Sequence, residues 1–181
     1  MKKIVFLLLA VFLFSACSST KELSSNRAEN RKFKKLAEQA EIKKAVESRR
    51  FIIKVNRLYS TGGGRWELVP TSNFVIINGE IASISLGYMG RSFGIRPITG
   101  INLNGRTLSY KMESNETKGI YKIEMAVKAG SEKFDVFLSI GTNGDCSISL
   151  DNAYLQSVSY SGILVPMADS ESIPTGGKSQ L

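Results

Sequence analysis

Tyr121-Lys122-Ile123-Glu124-Met125-Ala126-Val127-Lys128, followed by Phe134-Asp135-Val136-Phe137-Leu138-Ser139-Ile140, decides the fold class of this chain. Tyr121, Ile123, Met125 and Val127 alternate with Lys122, Glu124, Ala126 and Lys128. Phe134, Val136, Leu138 and Ile140 then repeat the pattern. Successive side chains of an extended strand point to opposite faces, so a period of two marks strands with one buried and one wet face. The residues between, Ala129-Gly130-Ser131-Glu132, turn one run back on the other. Gly141-Thr142-Asn143-Gly144 turns the chain again into Cys146, Ile148 and Leu150.

The same rhythm extends in both directions. Upstream, Phe51, Ile53 and Val55 alternate, and Trp66 and Leu68 resume after Thr61-Gly62-Gly63-Gly64. Residues 74–77 meet Asn78-Gly79, and an apolar alternating run follows to Tyr88. Asn-Gly between such runs is the strongest short hairpin signal, because both turn residues take positive φ. Asn104-Gly105 is expected to form a second hairpin turn on the same ground. Downstream, a last strand covers residues 157–165 and stops at Pro166. Eight to ten short strands joined by tight turns predict one antiparallel β domain over residues 50–166, with a single helix before it. About 125 residues suffice for a core of its own. Alternation leaves two architectures open, a β-sandwich and a flattened β-barrel.

Residues 25–49 read as the helix, free of Pro and Gly and rich in Ala, Glu, Lys and Arg. At 100° per residue, Phe33, Leu36, Ala37 and Ala40 share one face, while Ile42, Ala45 and Val46 point roughly opposite. The apolar stripe slips near residue 41. The first half is therefore expected to be a solvated spacer and the second half to pack on the β domain. The chain carries 24 Lys and Arg against 16 Asp and Glu, a net charge of +8. Ten of those cations, against five acids, lie in residues 21–50. The basic character belongs to one segment. Without a basic, aromatic-lined face in the β domain, nucleic-acid binding is not expected.

The N-terminus reads as a secretory signal of the lipoprotein type. Lys2 and Lys3 precede an uncharged apolar run over residues 4–14, then Ser15-Ala16-Cys17. A run of 11 residues is too short to span a bilayer, which takes about 20. Residues 1–16 are the expected leader, Cys17 the expected lipidation site, and residues 17–24 the tether. The pattern resembles the lipobox, with Phe14 where leucine is usual. Each buried acyl CH₂ contributes roughly 0.8 kcal/mol, so two or three chains anchor stably. The expected location is the cell envelope, on the outer membrane facing the periplasm: Ser18-Ser19-Thr20 offers neither a retention aspartate nor a dense acidic run. Residues 167–181 read as a disordered tail.

The chemistry this chain excludes is broad. It contains no histidine, which removes Ser-His-Asp and Cys-His constellations and histidine-based metal sites. It shows no P-loop, CxxC or calcium-loop spacing. No cofactor, no metal and no catalysis are expected. Glu113 and Glu116 read as loop residues; Asp145 and Asp151 flank a short strand. With Cys17 acylated, Cys146 has no partner and reads as a buried structural thiol.

One loop stands out as a candidate ligand contact. In Gly87-Tyr88-Met89-Gly90-Arg91-Ser92-Phe93-Gly94-Ile95-Arg96-Pro97, glycines alternate with aromatic and cationic side chains. Such a composition suits a flap over a sheet mouth, with arginines able to meet an anion. Tyr88, Arg91, Phe93 and Arg96 are the candidates, bordered by Trp66 after the glycine-rich loop.

Ala45-Val46-Glu47-Ser48-Arg49-Arg50-Phe51, Ser72-Asn73-Phe74 ahead of Asn78-Gly79, and Tyr160-Ser161-Gly162-Ile163-Leu164-Val165-Pro166 occur in an order that resembles the domain of unknown function family 4251 of Bacteroidetes lipoproteins. The resemblance implies export, a lipid anchor and a β-rich domain; it supplies no activity and no site residues. Arg49 and Arg50 are expected to tie helix to sheet through helix-end carbonyls. The expected role is non-catalytic binding of a small or lipidic ligand. The alternatives are a structural or protein-interaction module of the envelope and, third, a carboxylate-based hydrolase. A large apolar pocket would favour the first, and a filled interior with a bare apolar surface the second.

Overall fold

The computed structural model describes residues 19–93 and 99–167. The leader, Cys17, Arg96 and the tail beyond Met167 lie outside the described residues. Helix α1 spans Ser19–Glu47. It begins ahead of the expected residue 25, because Lys21, Glu22 and Leu23 are good helix formers and no Gly or Pro stops them.

Residues up to Glu38 and residues from Gln39 onward form two compact units. In the first, Phe33 and Leu36 are exposed, as a solvated spacer requires. In the second, the last turns of α1 bury Ile42, Ala45 and Val46 in the core.

In the turn just after the helix, Arg49 has a φ of 55°, in the left-handed region, a cost of roughly 1–2 kcal/mol for a residue with a β-carbon. Its carbonyl accepts the Gly79 N–H at 2.9 Å, and its guanidinium lies 4.3 Å from the Tyr110 ring centroid. The helix-end carbonyl of Val46 receives the Tyr110 hydroxyl at 3.3 Å. Tyr110 thus ties the helix end to the sheet through a helix-end carbonyl.

The strands are β1 (Arg50–Tyr59), β2 (Arg65–Glu67), β3 (Phe74–Asn78), β4 (Ile81–Gly87), β5 (Gly100–Asn115), β6 (Ile120–Ala129), β7 (Glu132–Gly141), β8 (Asp145–Asn152) and β9 (Leu155–Pro166). Each pairs antiparallel with its neighbour in the sheet, and β9 returns to pair with β1 from Phe51↔Pro166 to Tyr59↔Ser159. β1 and β3–β9 close an eight-stranded barrel, and β2 is an extra strand on β1. Closure removes the sandwich alternative. It also explains the alternation, since inward residues of every strand share one interior.

Two expectations fail inside β5. Asn104-Gly105 is no turn: these residues pair with Ser83 and Ala82 in mid-strand. Gly105 is needed there for close approach, since a β-carbon would collide with the Lys128 carbonyl oxygen of β6. Gly162 has the same role at the closing seam, against the Lys54 carbonyl. Bulges follow at Thr107/Ser109 and face Gly162 at Val55/Arg57, the device by which a sheet bends into a barrel. Glu113 lies within β5 and pairs with Lys122; its carboxylate meets Lys111 at 2.8 Å.

The interior is packed with apolar side chains. Phe51, Ile53, Leu58, Ile77, Ile123, Ile140, Ile148 and Tyr160 are among its fully buried side chains. Each contributes about 1.5–3 kcal/mol by leaving water. The end of α1 covers one end of the barrel. The other end, the mouth, collects the loops after β1 and β4 and the β6–β7 and β8–β9 hairpins.

Candidate functional site

The mouth is built on a break in one strand. β2 and β3 lie end to end along β1, Glu67 opposite Arg57 and Phe74 opposite Lys54, and residues 68–73 loop out between them. Asn73 closes that loop. It is 8% exposed; its Nδ2 donates to Val69 O at 3.0 Å, and its Oδ1 accepts Gly87 N–H at 2.7 Å. Ser85 Oγ donates to Ser72 O at 2.9 Å. The Ser72-Asn73-Phe74 motif is thus a knot that holds the end of β4, from which the candidate loop departs.

Tyr88 is 2% exposed and plugs the barrel. Its hydroxyl sits between the carbonyls of Arg91 (2.7 Å) and Gln156 (2.9 Å). Burial pushes its ionisation up from the ordinary tyrosine value. Below it, the Tyr160 hydroxyl donates to Gly87 O at 3.1 Å, and burial raises that phenol further. Both tyrosines hold loop backbone and offer no free hydroxyl to a ligand.

Gln156, which sequence reading missed, gathers the loops. Its N–H donates to Arg91 O at 2.9 Å, its Oε1 accepts Arg91 N–H at 3.1 Å, and its Nε2 donates to Thr61 Oγ1. Gln156 thus links the glycine-rich loop to the 88–93 segment. The Phe93 N–H donates to Tyr154 O at 2.8 Å, leaving Phe93 69% and Tyr154 58% exposed side by side on the rim. The Arg91 side chain is exposed. Trp66 stands on β2 and lies over Gly64. Of the candidates among the described residues, Trp66, Tyr88, Arg91 and Phe93 converge on the mouth but do not line one pocket.

A small cleft of about 190 Å³ opens beside them. Asn102 and Leu103 of β5, Glu132 and Phe134 at the β6–β7 turn, and Tyr154 and Leu155 at the β8–β9 turn line it. Phe134 is buried and gives it an apolar floor. Sequence spacing alone carried no sign of this cleft, because its residues come from the start of β5 and from two separate hairpins.

Elsewhere the side chains are quiet. The Cys146 thiol is buried, donates to Gly144 O at 3.2 Å and is pushed up to about 12 by burial, far from the thiolate character that reactivity needs. Among the described residues no group of three His, Cys, Asp or Glu side chains is placed to hold a metal ion. Among them, too, no helix is long and apolar enough to cross a membrane.

A family model for a domain of unknown function, DUF4251, matches residues 34–164. No curated protein matches the chain. Among solved structures, the chain is similar to the crystal structure of a DUF4251 family protein from Bacteroides eggerthii DSM 20697. The TM-score is 0.61 at 16% identity, over 72% of this chain and 88% of that one. That likeness carries the fold, and the match over most of the β domain carries the family: the chain belongs to the DUF4251 family.

Proposed function

We propose that this protein is a lipid-anchored, non-catalytic module of the cell envelope that docks a partner on its barrel mouth. The observation that supports this most is the filled interior beneath a rim of exposed Met89, Phe93 and Tyr154. A lipid carrier of this size needs an empty barrel; here Tyr88 and Tyr160 are buried side chains near the mouth. Exposed aromatic side chains on a rigid, hydrogen-bonded rim are the usual anchors of an interface. The anchor is Cys17, which places the module on the outer membrane facing the periplasm. The basic helix then serves as a spacer close to anionic head groups.

A second reading, a small-molecule ligand, is favoured by the cleft of about 190 Å³ under Tyr154. It is smaller than the roughly 300–1,000 Å³ of a site for a drug-sized molecule, so the ligand would be a single ring or a short fragment.

Native mass spectrometry of the protein purified from its host's envelope separates the two. A co-purifying protein supports the docking module. An added small mass that disappears on organic extraction moves the weight to the second reading. A bare mass together with no exchange protection at the rim overturns both.

A further inference from the structure

The cleft has a wall that is not made of side chains. β6 pairs with β5 only from Arg106↔Lys128 onward, because the β6–β7 hairpin turns back at Gly130-Ser131. β5 starts six residues earlier, at Gly100, and on its other side pairs with β4 throughout. The phase of that ladder is fixed at both ends: the Thr107 N–H donates to Glu80 O, and the Tyr88 N–H donates to Thr99 O. Odd residues of β5 in this stretch therefore direct their backbone groups to β4. The N–H and C=O groups of Gly100, Asn102 and Asn104 point the other way, into the space that β6 leaves.

Such an edge is normally guarded by Lys, Pro or a bulge. Here the sequence is Gly100-Ile101-Asn102-Leu103-Asn104, with no charge and no proline. The bulge that would twist it away lies further on, at Thr107/Ser109.

Resting on the docking reading above, we infer that the β5 edge at Gly100, Asn102 and Asn104 accepts an extended peptide segment of a partner protein. The segment adds as a strand and places one apolar side chain over Phe134. These ladder groups, with no strand paired to them among the described residues, match the backbone of an added strand. The cleft beside them suits one large side chain, with Leu155 and Tyr154 as walls. Ladder bonds supply affinity without regard to sequence, and the pocket supplies the preference for an apolar or aromatic residue at one position.

The test is amide hydrogen exchange by NMR on the full mature protein in detergent. The probes are two end-capped hexapeptides, alternating threonine–valine and threonine–phenylalanine. Saturable protection of Asn102 and Asn104, stronger with the phenylalanine peptide, is expected. Asn102→Pro removes one N–H that faces the cleft and none that faces β4, so it should weaken binding about five-fold or more. Ala129→Phe, which fills the cleft from the β6 side, should abolish the preference for phenylalanine and serves if Asn102→Pro does not fold. No saturable protection by either peptide overturns the inference, as does protection on another surface. If both peptides fail while an envelope protein still co-purifies on the rim, the peptide mode is wrong and the docking reading stands.

Discussion

Replacing Asn73 with alanine tests how the mouth is held. The side chain makes two bonds, one inside the 68–73 loop to Val69 O at 3.0 Å and one from the Gly87 N–H at the end of β4 at 2.7 Å, and is 8% exposed. Each bond contributes a net 0.5–1.5 kcal/mol, roughly, and an orphaned buried N–H costs about 1–3 kcal/mol. Removing both bonds and stranding the Gly87 N–H should destabilise the barrel by about 3 kcal/mol. For a domain of this size that is a fall in Tm of about 10 °C. Denaturant unfolding followed by tryptophan fluorescence reads the change, because Trp66 is the single tryptophan and stands beside the loop. Asn73→Asp keeps the acceptor for Gly87 but sets a carboxylate against Val69 O. Its folded-state pKa is thereby raised above the unfolded value, so its stability is present at acid pH and lost as pH rises through the folded value. A loss below about 1 kcal/mol for Asn73→Ala, or an Asn73→Asp variant indifferent to pH, would refute the knot.

Three further outcomes follow. Gly162→Ala forces a β-carbon onto the Lys54 carbonyl at the closing seam and should cost about 2 kcal/mol or more by calorimetry; a neutral result would mean that the seam is plastic. Val46→Ala removes a fully buried side chain and should cost about 1–2 kcal/mol, while Phe33→Ala on the exposed half should stay within about 0.5 kcal/mol. Cys146 and Tyr110 are both pushed up to about 12 from ordinary values of 9.0 and 10.0. Each is neutral in the folded state where the unfolded chain ionises, so stability should hold below pH 9 and fall steadily as pH rises from about 9 to about 12; a flat Tm over that range would show these groups to be solvated.

The strand rhythm of residues 121–150 was legible because each strand has one face on the interior, and closure keeps that face the same all round. The helix's change of face near residue 41 was legible for the same reason: burial at Ile42, Ala45 and Val46 follows the 3.6 period. Closure itself was not, since β1–β9 pairing joins residues more than 90 apart and leaves no local mark. Asn104-Gly105 misled because glycine answers two demands, positive φ in a turn and close backbone approach, and dipeptide chemistry does not separate them. Of the loop candidates, Tyr88, Arg91 and Phe93 do meet on the mouth, yet Tyr88 is spent on holding backbone carbonyls. The β5 edge left no mark because its significance is a matter of backbone register, which side-chain patterns do not carry; Gln156 left none because its partners, Arg91 and Thr61, are 65 and 95 residues away.

A docking module of this kind is defined by where its partner touches the barrel. A photo-crosslinking phenylalanine analogue placed at position 154 in the living host, with position 108 as the control, asks this most directly. Tyr154 borders the cleft, and the exposed Leu108 lies further along β5, beyond the unpaired edge. A discrete protein adduct is expected from position 154, lost with Asn102→Pro, and none from position 108. Equal adducts from both positions, or an adduct from 108 alone, would contradict the docking reading.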